Sequence, residues 1–288
     1  MDSDRRVAVI TGAASGLGLA ITRKCLDRNM HVVMADINVT KLCDEVEKLS
    51  NQYSSEILGV VTDVTKAASV NHLAEQTFEQ FSRVDWLFNN AGICGQLAPI
   101  WELPTEHLKT VLDVNVFGVL HGIKAFMPFL LKQDFTSRII NMASMYGLCS
   151  GSQLAAYAVT KSAIVSLSES MFFDLQRLNK PVAMSVACPS FADTGLLKNS
   201  LPLKDNAFHD KMTELLARSR PAMDVAEAIL LGVERNQFYI FPDQEVKEYC
   251  IQRTTAIEQQ KSPHKHAIEH IIQVLSERIE REHCGEVT

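Results

Sequence analysis

The sequence predicts a doubly wound α/β fold built on a parallel sheet. Three observations point to it. Short apolar runs rich in β-branched residues recur at 6–11, 31–35, 57–62, 84–89, 138–142, 182–188 and 238–241. Between them lie stretches with apolar residues at helical spacing. The first apolar run ends in a glycine-rich turn. Strands alternating with helices of this length give a parallel sheet with helices on both faces.

The chain has 288 residues, 47% of them hydrophobic, enough for one large domain with a substantial core. No Pro/Gly/Ser-rich linker divides it, so 1–243 is read as a single dinucleotide-binding and catalytic domain and 244–288 as a helical extension. A formal charge of −6 argues against a nucleic-acid surface. The longest apolar stretches read as too short or too interrupted to cross a bilayer, and no membrane partner is expected. Asp2, Asp4, Arg5 and Arg6 run straight into a strand without a leader pattern, which favours the cytoplasm. Seven cysteines, odd in number and without a C-x-x-C pair, read as reduced thiols. His264, His266, His270 and Cys284 lack ordered ligand spacing, so no metal site is expected and the cluster reads as a solvated helical face.

In chain order, the strand at 6–11 leads into Gly12-Ala13-Ala14-Ser15-Gly16-Leu17-Gly18 and then a helix through Ala20, Ile21, Cys25 and Leu26. Strand, glycine turn, helix is the context of a dinucleotide-binding loop, because glycines admit a pyrophosphate and the helix start offers free N–H groups. An ordinary tight turn would share the glycine spacing. The strand at 31–35 ends on Asp36, which serves either to accept from adenosine ribose hydroxyls or to charge the start of the next helix, at 39–49. An acid here would repel a 2′-phosphate. Ser15 rather than a basic residue precedes Gly16, and Ile37 follows Asp36, so NAD is favoured over NADP. Asn38 or Thr40 could cap the helix.

Asp63, followed by Val64 after the third strand, either accepts from an adenine amino group or caps a helix starting near Lys66. The fourth strand runs into Asn89-Asn90-Ala91-Gly92, small residues that let backbone approach a ligand. A loop at 93–103 follows, at a strand's carboxyl end where such sheets bind ligands. The spacing then predicts a long helix over 105–132 with Pro128 near its end and Asn115 among apolar neighbours, a position that fits structural satisfaction or catalysis. Ser144 follows the fifth strand. Tyr157 and Lys161 lie four apart on a helix predicted over 153–174, so both reach one point. A cation near a phenol is expected to lower the tyrosine pKa, which suits proton exchange with a ketone or alcohol. The sixth strand stops at Pro189, and two helical pieces near 192–201 and 205–219 predict a lid over about 191–222. The tail carries an apolar stripe of Ile268, Ile271, Ile272, Leu275 and Ile279, expected to pack on the body or a partner subunit.

Together T-G-A-A-S-G-L-G at 11–18, Asp63, N-N-A-G at 89–92, Asn115, Ser144, Tyr157 and Lys161 resemble the short-chain dehydrogenase/reductase family in order and spacing, over about residues 6–243. The resemblance implies a single Rossmann domain with a seven-stranded parallel sheet, in homodimers or homotetramers. It implies an NAD-dependent oxidoreductase interconverting a secondary alcohol and a ketone. Tyr157 is then the general acid/base. Lys161 tunes it and bonds the nicotinamide ribose, Ser144 holds the substrate oxygen, and Asn115 positions a water. Gly12, Ser15, Gly16, Leu17 and Gly18 shape the phosphate turn, Asp63 and Val64 lie at the adenine, Asn90 beside the adenosine ribose, and Pro189 and Thr194 at the nicotinamide. One departure is Ser190, where the family usually has glycine. Ile93, Leu97, Tyr146, Leu148 and Leu196 suggest an apolar, mid-sized substrate.

Overall fold

The computed structural model describes residues 5–197 and 207–283. The first half of the chain is β1 (Val7–Thr11), α1 (Gly16–Leu26), β2 (His31–Asp36), α2 (Val39–Ser50), β3 (Ile57–Val61), α3 (Ala67–Phe81) and β4 (Trp86–Asn89). It continues through α4 (Thr105–Leu112), α5 (Gly118–Leu130), β5 (Ser137–Met142), α6 (Ala155–Arg177) and β6 (Val182–Ala187). The remainder is β7 (Ala192–Asp193), α7 (Ala207–Leu216), β8 (Arg220–Pro221), α8 (Ala222–Glu234), β9 (Tyr239–Ile240), α9 (Gln244–Glu258) and α10 (Ala267–His283).

Seven strands form one sheet in the order β3-β2-β1-β4-β5-β6-β9, and every pairing is parallel. The order reverses between β1 and β4, so a crevice opens beyond their carboxyl ends. The pleat divides the core. Val7 and Val9 of β1 pack into one apolar cluster with α3, α5 and α6, while Ala8 and Ile10 pack into the other with α1 and α8. That two-sided burial explains why the strands read as continuous apolar runs.

Four expectations are corrected. The helix over 105–132 is interrupted by a π-helical turn at Asp113–Phe117, between α4 and α5. Taken as a whole, Thr105–Leu130 is long and apolar enough to cross a bilayer, contrary to the reading of the sequence. Here it is a layer helix, with Val119, Ile123, Phe126 and Leu130 in the core. The predicted helix over 192–201 is absent where the chain is described. Ala192 and Asp193 instead pair with Arg220 and Pro221 as a short two-stranded ribbon, and 198–201 lies outside the described residues. The polar stretch 205–219 does hold a helix, α7, although 205 and 206 also lie outside. Fourth, His266 is buried rather than on a solvated face, its Nε2 3.0 Å from the Ser150 carbonyl; Cys284 is not described.

Candidate active site

A cavity of about 600 Å³ opens at the carboxyl ends of β1 and β4. Its floor is the turn from β1 to α1. Gly16 has φ +53°, and a Cβ there would stand 2.6 Å from the Thr194 carbonyl oxygen, so only glycine lets the two segments approach. Ser15 caps α1 with extended backbone but makes no side-chain bond to it, which leaves the first N–H groups of an 11-residue helix open to the cavity. Such an end, with its positive dipole, suits a phosphate group. Gly12, Ser15, Gly16, Leu17 and Gly18 all line the space.

Asp36, at the end of β2, accepts from the Ala14 N–H at 3.0 Å and the Asn38 N–H at 2.9 Å. It therefore ties the glycine turn to α2 while facing the cavity. Capping of α2 falls to Asn38, which accepts from the Lys41 N–H at 3.0 Å. Asp63 accepts from both the N–H and the hydroxyl of Thr65, closing the turn before α3, and also lines the cavity beside Val64. Asn90 donates to the Thr11 carbonyl at 2.8 Å, and the Thr11 hydroxyl accepts from the N–H groups of Asn90 and Ala91. Thr11 thus staples the two loops that flank the crevice. Nothing local in the sequence signals that role, because its partners lie about 80 positions away.

The residues expected to handle the proton come from two elements. Ser144 follows β5, and Tyr157 and Lys161 share a face of α6. All three line the cavity and are nearly buried. The Ser144 hydroxyl faces Tyr157 closely enough to favour its phenolate. The Lys161 Nζ donates to the Met142 carbonyl at 2.8 Å and lies 5.5 Å from the Tyr157 ring centre. Burial pushes the Tyr157 phenol above its ordinary value, Cys94 adds to this, and the Ser144 hydroxyl pulls back. This reverses the expectation of a lowered phenol, because burial outweighs the influences that favour the phenolate. Burial also lowers Lys161 itself, from 10.5 to about 8.

Asn115 stands behind the cavity wall, fully buried in the π turn. Its amide donates to the Ile93 carbonyl and the Thr160 hydroxyl, and its Oδ1 accepts from the Ile93 N–H at 2.8 Å. It fixes the start of the 93–103 loop against α6. Pro189 and Thr194 line the opposite wall. The intervening Ser190 is accommodated, with its N–H on Asp243 at 2.9 Å and its hydroxyl 3.4 Å from the Met145 sulfur.

Ile93, Leu97, Tyr146 and Leu196 line the apolar end of the cavity as predicted, but Leu148 is turned into the core instead. Sequence reading missed Leu154, Met212 and Leu216, which complete that wall from the start of α6 and from α7. It also missed the way the tail braces it. Glu269 on α10 accepts from the Ser152 N–H at 2.8 Å, and Gln153 donates to Ser276 at 2.8 Å.

Comparison with known proteins agrees with this geometry. Residues 6–204 match the family model for short chain dehydrogenases. A CLA biosynthesis dehydrogenase/reductase of Lactiplantibacillus plantarum is 30% identical over 286 residues, covering 94% of this chain and 99% of that protein. A 1-deoxy-11-beta-hydroxypentalenate dehydrogenase of Streptomyces avermitilis is 32% identical over 235 residues, covering 81% and 83%. Among solved structures, a short-chain dehydrogenase/reductase from Burkholderia phymatum in complex with NAD superposes with a TM-score of 0.85 at 33% identity, covering 92% of this chain and 99% of that one. Fold, motif order and relatives agree, and the chain belongs to the short-chain dehydrogenase/reductase family of oxidoreductases.

Proposed function

We propose that this enzyme is NAD-dependent and interconverts a secondary alcohol and a ketone, with Tyr157 as general acid/base. The observation that carries the reading is the gathering of Ser144, Tyr157 and Lys161 on the cavity lining, with the Lys161 Nζ 5.5 Å from the Tyr157 ring centre. When bound, the nicotinamide dinucleotide supplies or accepts the hydride. The protein handles the proton. A phenol raised by burial stays protonated at neutral pH, ready to donate to a ketone oxygen that Ser144 also holds. Giving up that proton leaves a phenolate whose charge the buried Lys161 offsets, and in the opposite direction this phenolate takes the alcohol proton. Asn115 acts one layer back, holding Ile93 and so the loop against which the substrate rests. Apolar side chains at Ile93, Leu97, Leu154, Leu196 and Met212 support a substrate with an apolar body.

The open start of α1 suits the pyrophosphate, and Gly12 to Gly18 leave room for it. Asp36 supports NAD, since its carboxylate faces the region where a 2′-phosphate would bring a second negative charge. Lys41 of α2 lines the same end and favours the NADP reading. Fluorescence titration separates them: NADH is expected to bind at least tenfold more tightly than NADPH, and the reverse order would refute the role given to Asp36.

Replacement of Tyr157 by Phe tests the chemistry. NADH affinity and the unfolding temperature should hold, while turnover in an NADH-coupled screen of ketones and alcohols falls by about 10²–10⁴. Near-normal turnover would sink the assignment.

A further inference from the structure

A second cleft, of about 550 Å³, opens beside Arg138, near the amino end of β5. Ser144 follows the other end of that strand, six residues on, so the two sites lie roughly 20 Å apart along it. They share no lining residue.

Arg138 is only 9% exposed. Its Nη1 donates to the Met184 carbonyl at 3.2 Å and the Ser185 hydroxyl at 2.9 Å, and its Nη2 donates to Asn236 Oδ1 at 2.6 Å. Ser185 in turn donates to the Gln237 carbonyl, which fixes its oxygen as the acceptor toward Arg138. All three partners of the guanidinium are neutral. A guanidinium has five N–H donors, so Nε and one proton of Nη2 have no acceptor among the described residues. No carboxylate offsets the charge there either; burial alone acts on Arg138, lowering its pKa. A buried cation without a counter-charge is costly, and an anion seated on it removes that cost.

The cleft is formed to receive one. Its lining contains no Asp or Glu, and the exposed Lys180 adds a second positive charge at its edge. Phe172, Leu175 and Phe238 supply an apolar wall. The two free donors of Arg138 sit on neighbouring nitrogens, the pair that grips a carboxylate edge-on. We propose that this cleft binds a small organic carboxylate, its oxygens on Nε and Nη2 of Arg138 and its apolar body against Phe172, Leu175 and Phe238. The site is separate from the catalytic cavity and does not depend on the reaction assigned there.

Calorimetric titration of the full chain with benzoate and with inorganic phosphate, joined to crystals soaked in 4-bromobenzoate, tests the proposal. Benzoate should bind, with bromine density in the cleft, and phosphate should bind at least tenfold more weakly. The Arg138→Met variant should lose benzoate binding, and Lys180→Glu should weaken it about fivefold. Because Lys180 is exposed, that second variant keeps the test alive if Arg138→Met does not fold. Three results would each overturn the site: bromine only in the catalytic cavity, benzoate affinity unchanged in Lys180→Glu, or a carboxylate of a second copy seated on Arg138. Phosphate binding as tightly as benzoate would overturn the apolar half of the assignment.

Discussion

Tyr157 is held by opposing influences. Burial and the nearby Cys94 thiol favour its protonated form, while the Ser144 hydroxyl stabilises the phenolate. Lys161 is held by burial against its own charge and by the Met142 carbonyl in favour of it. The lysine gives a measurable signature in the protein without cofactor. Its folded pKa, about 8, is below the ordinary 10.5, so folding is penalised below pH 8 and the penalty fades as pH rises to 10.5. The Lys161→Met variant carries no such term. Its unfolding free energy relative to wild type should therefore fall between pH 8 and 10.5 by up to about 3 kcal/mol. Denaturant titrations across that range give the number, and a flat difference would show that the ammonium is not desolvated. At this scale the sequence was legible where chemistry is local: Tyr157 and Lys161 share a helix face because they are four apart. The direction of the tyrosine shift was not legible, because it is set first by burial, which depends on the packing of elements distant in the chain.

Among the elements, α10 stands apart, since it braces the substrate wall without lining it. Ile272 is 1% exposed and packs into the same cluster as Tyr146, Leu154 and Tyr157. Around it, His266, Glu269 and Ser276 hold the 150–153 turn. The Ile272→Ala variant should lose about 3 kcal/mol of stability and raise the KM for the ketone severalfold while leaving NADH affinity unchanged. Steady-state kinetics beside NADH titration would show it, and an equal loss of both affinities would refute a brace local to the substrate end. The apolar stripe of the tail was readable from helical periodicity, and so were the start of α3 and the strands. The π turn was not: it places Asn115 against Ile93 and Thr160, partners 22 and 45 positions away. The helix expected over 192–201 failed for a related reason. Pairing of Ala192 with Arg220 outweighs local propensity there.

At the scale of the molecule, three large apolar side chains on the long helices remain in water. Phe117 is 47%, Val159 54% and Phe173 66% exposed. Phe117 lies in the π turn before α5, and Val159 and Phe173 lie on α6, and these exposed faces support a homodimer or homotetramer. Sedimentation equilibrium should give two or four times 32.1 kDa, and a Phe173→Glu variant should shift the distribution toward the monomer. A wild-type protein monomeric at micromolar concentration would refute it.

What the sequence determined by itself was the sheet and the residues gathered at its carboxyl edge. Alternating apolar strands and amphipathic helices leave a parallel, two-sided sheet as the way to bury both patterns, and such a sheet places Gly16, Asn90 and Ser144 on one edge. What only the tertiary structure decided were the couplings between distant segments. These include the Thr11 staple on the Asn90 turn, the closing wall of α7, the brace of α10, and the buried cation of Arg138 with its cleft. Each joins residues that neither periodicity nor motif spacing relates, because it depends on which faces meet once the core has packed.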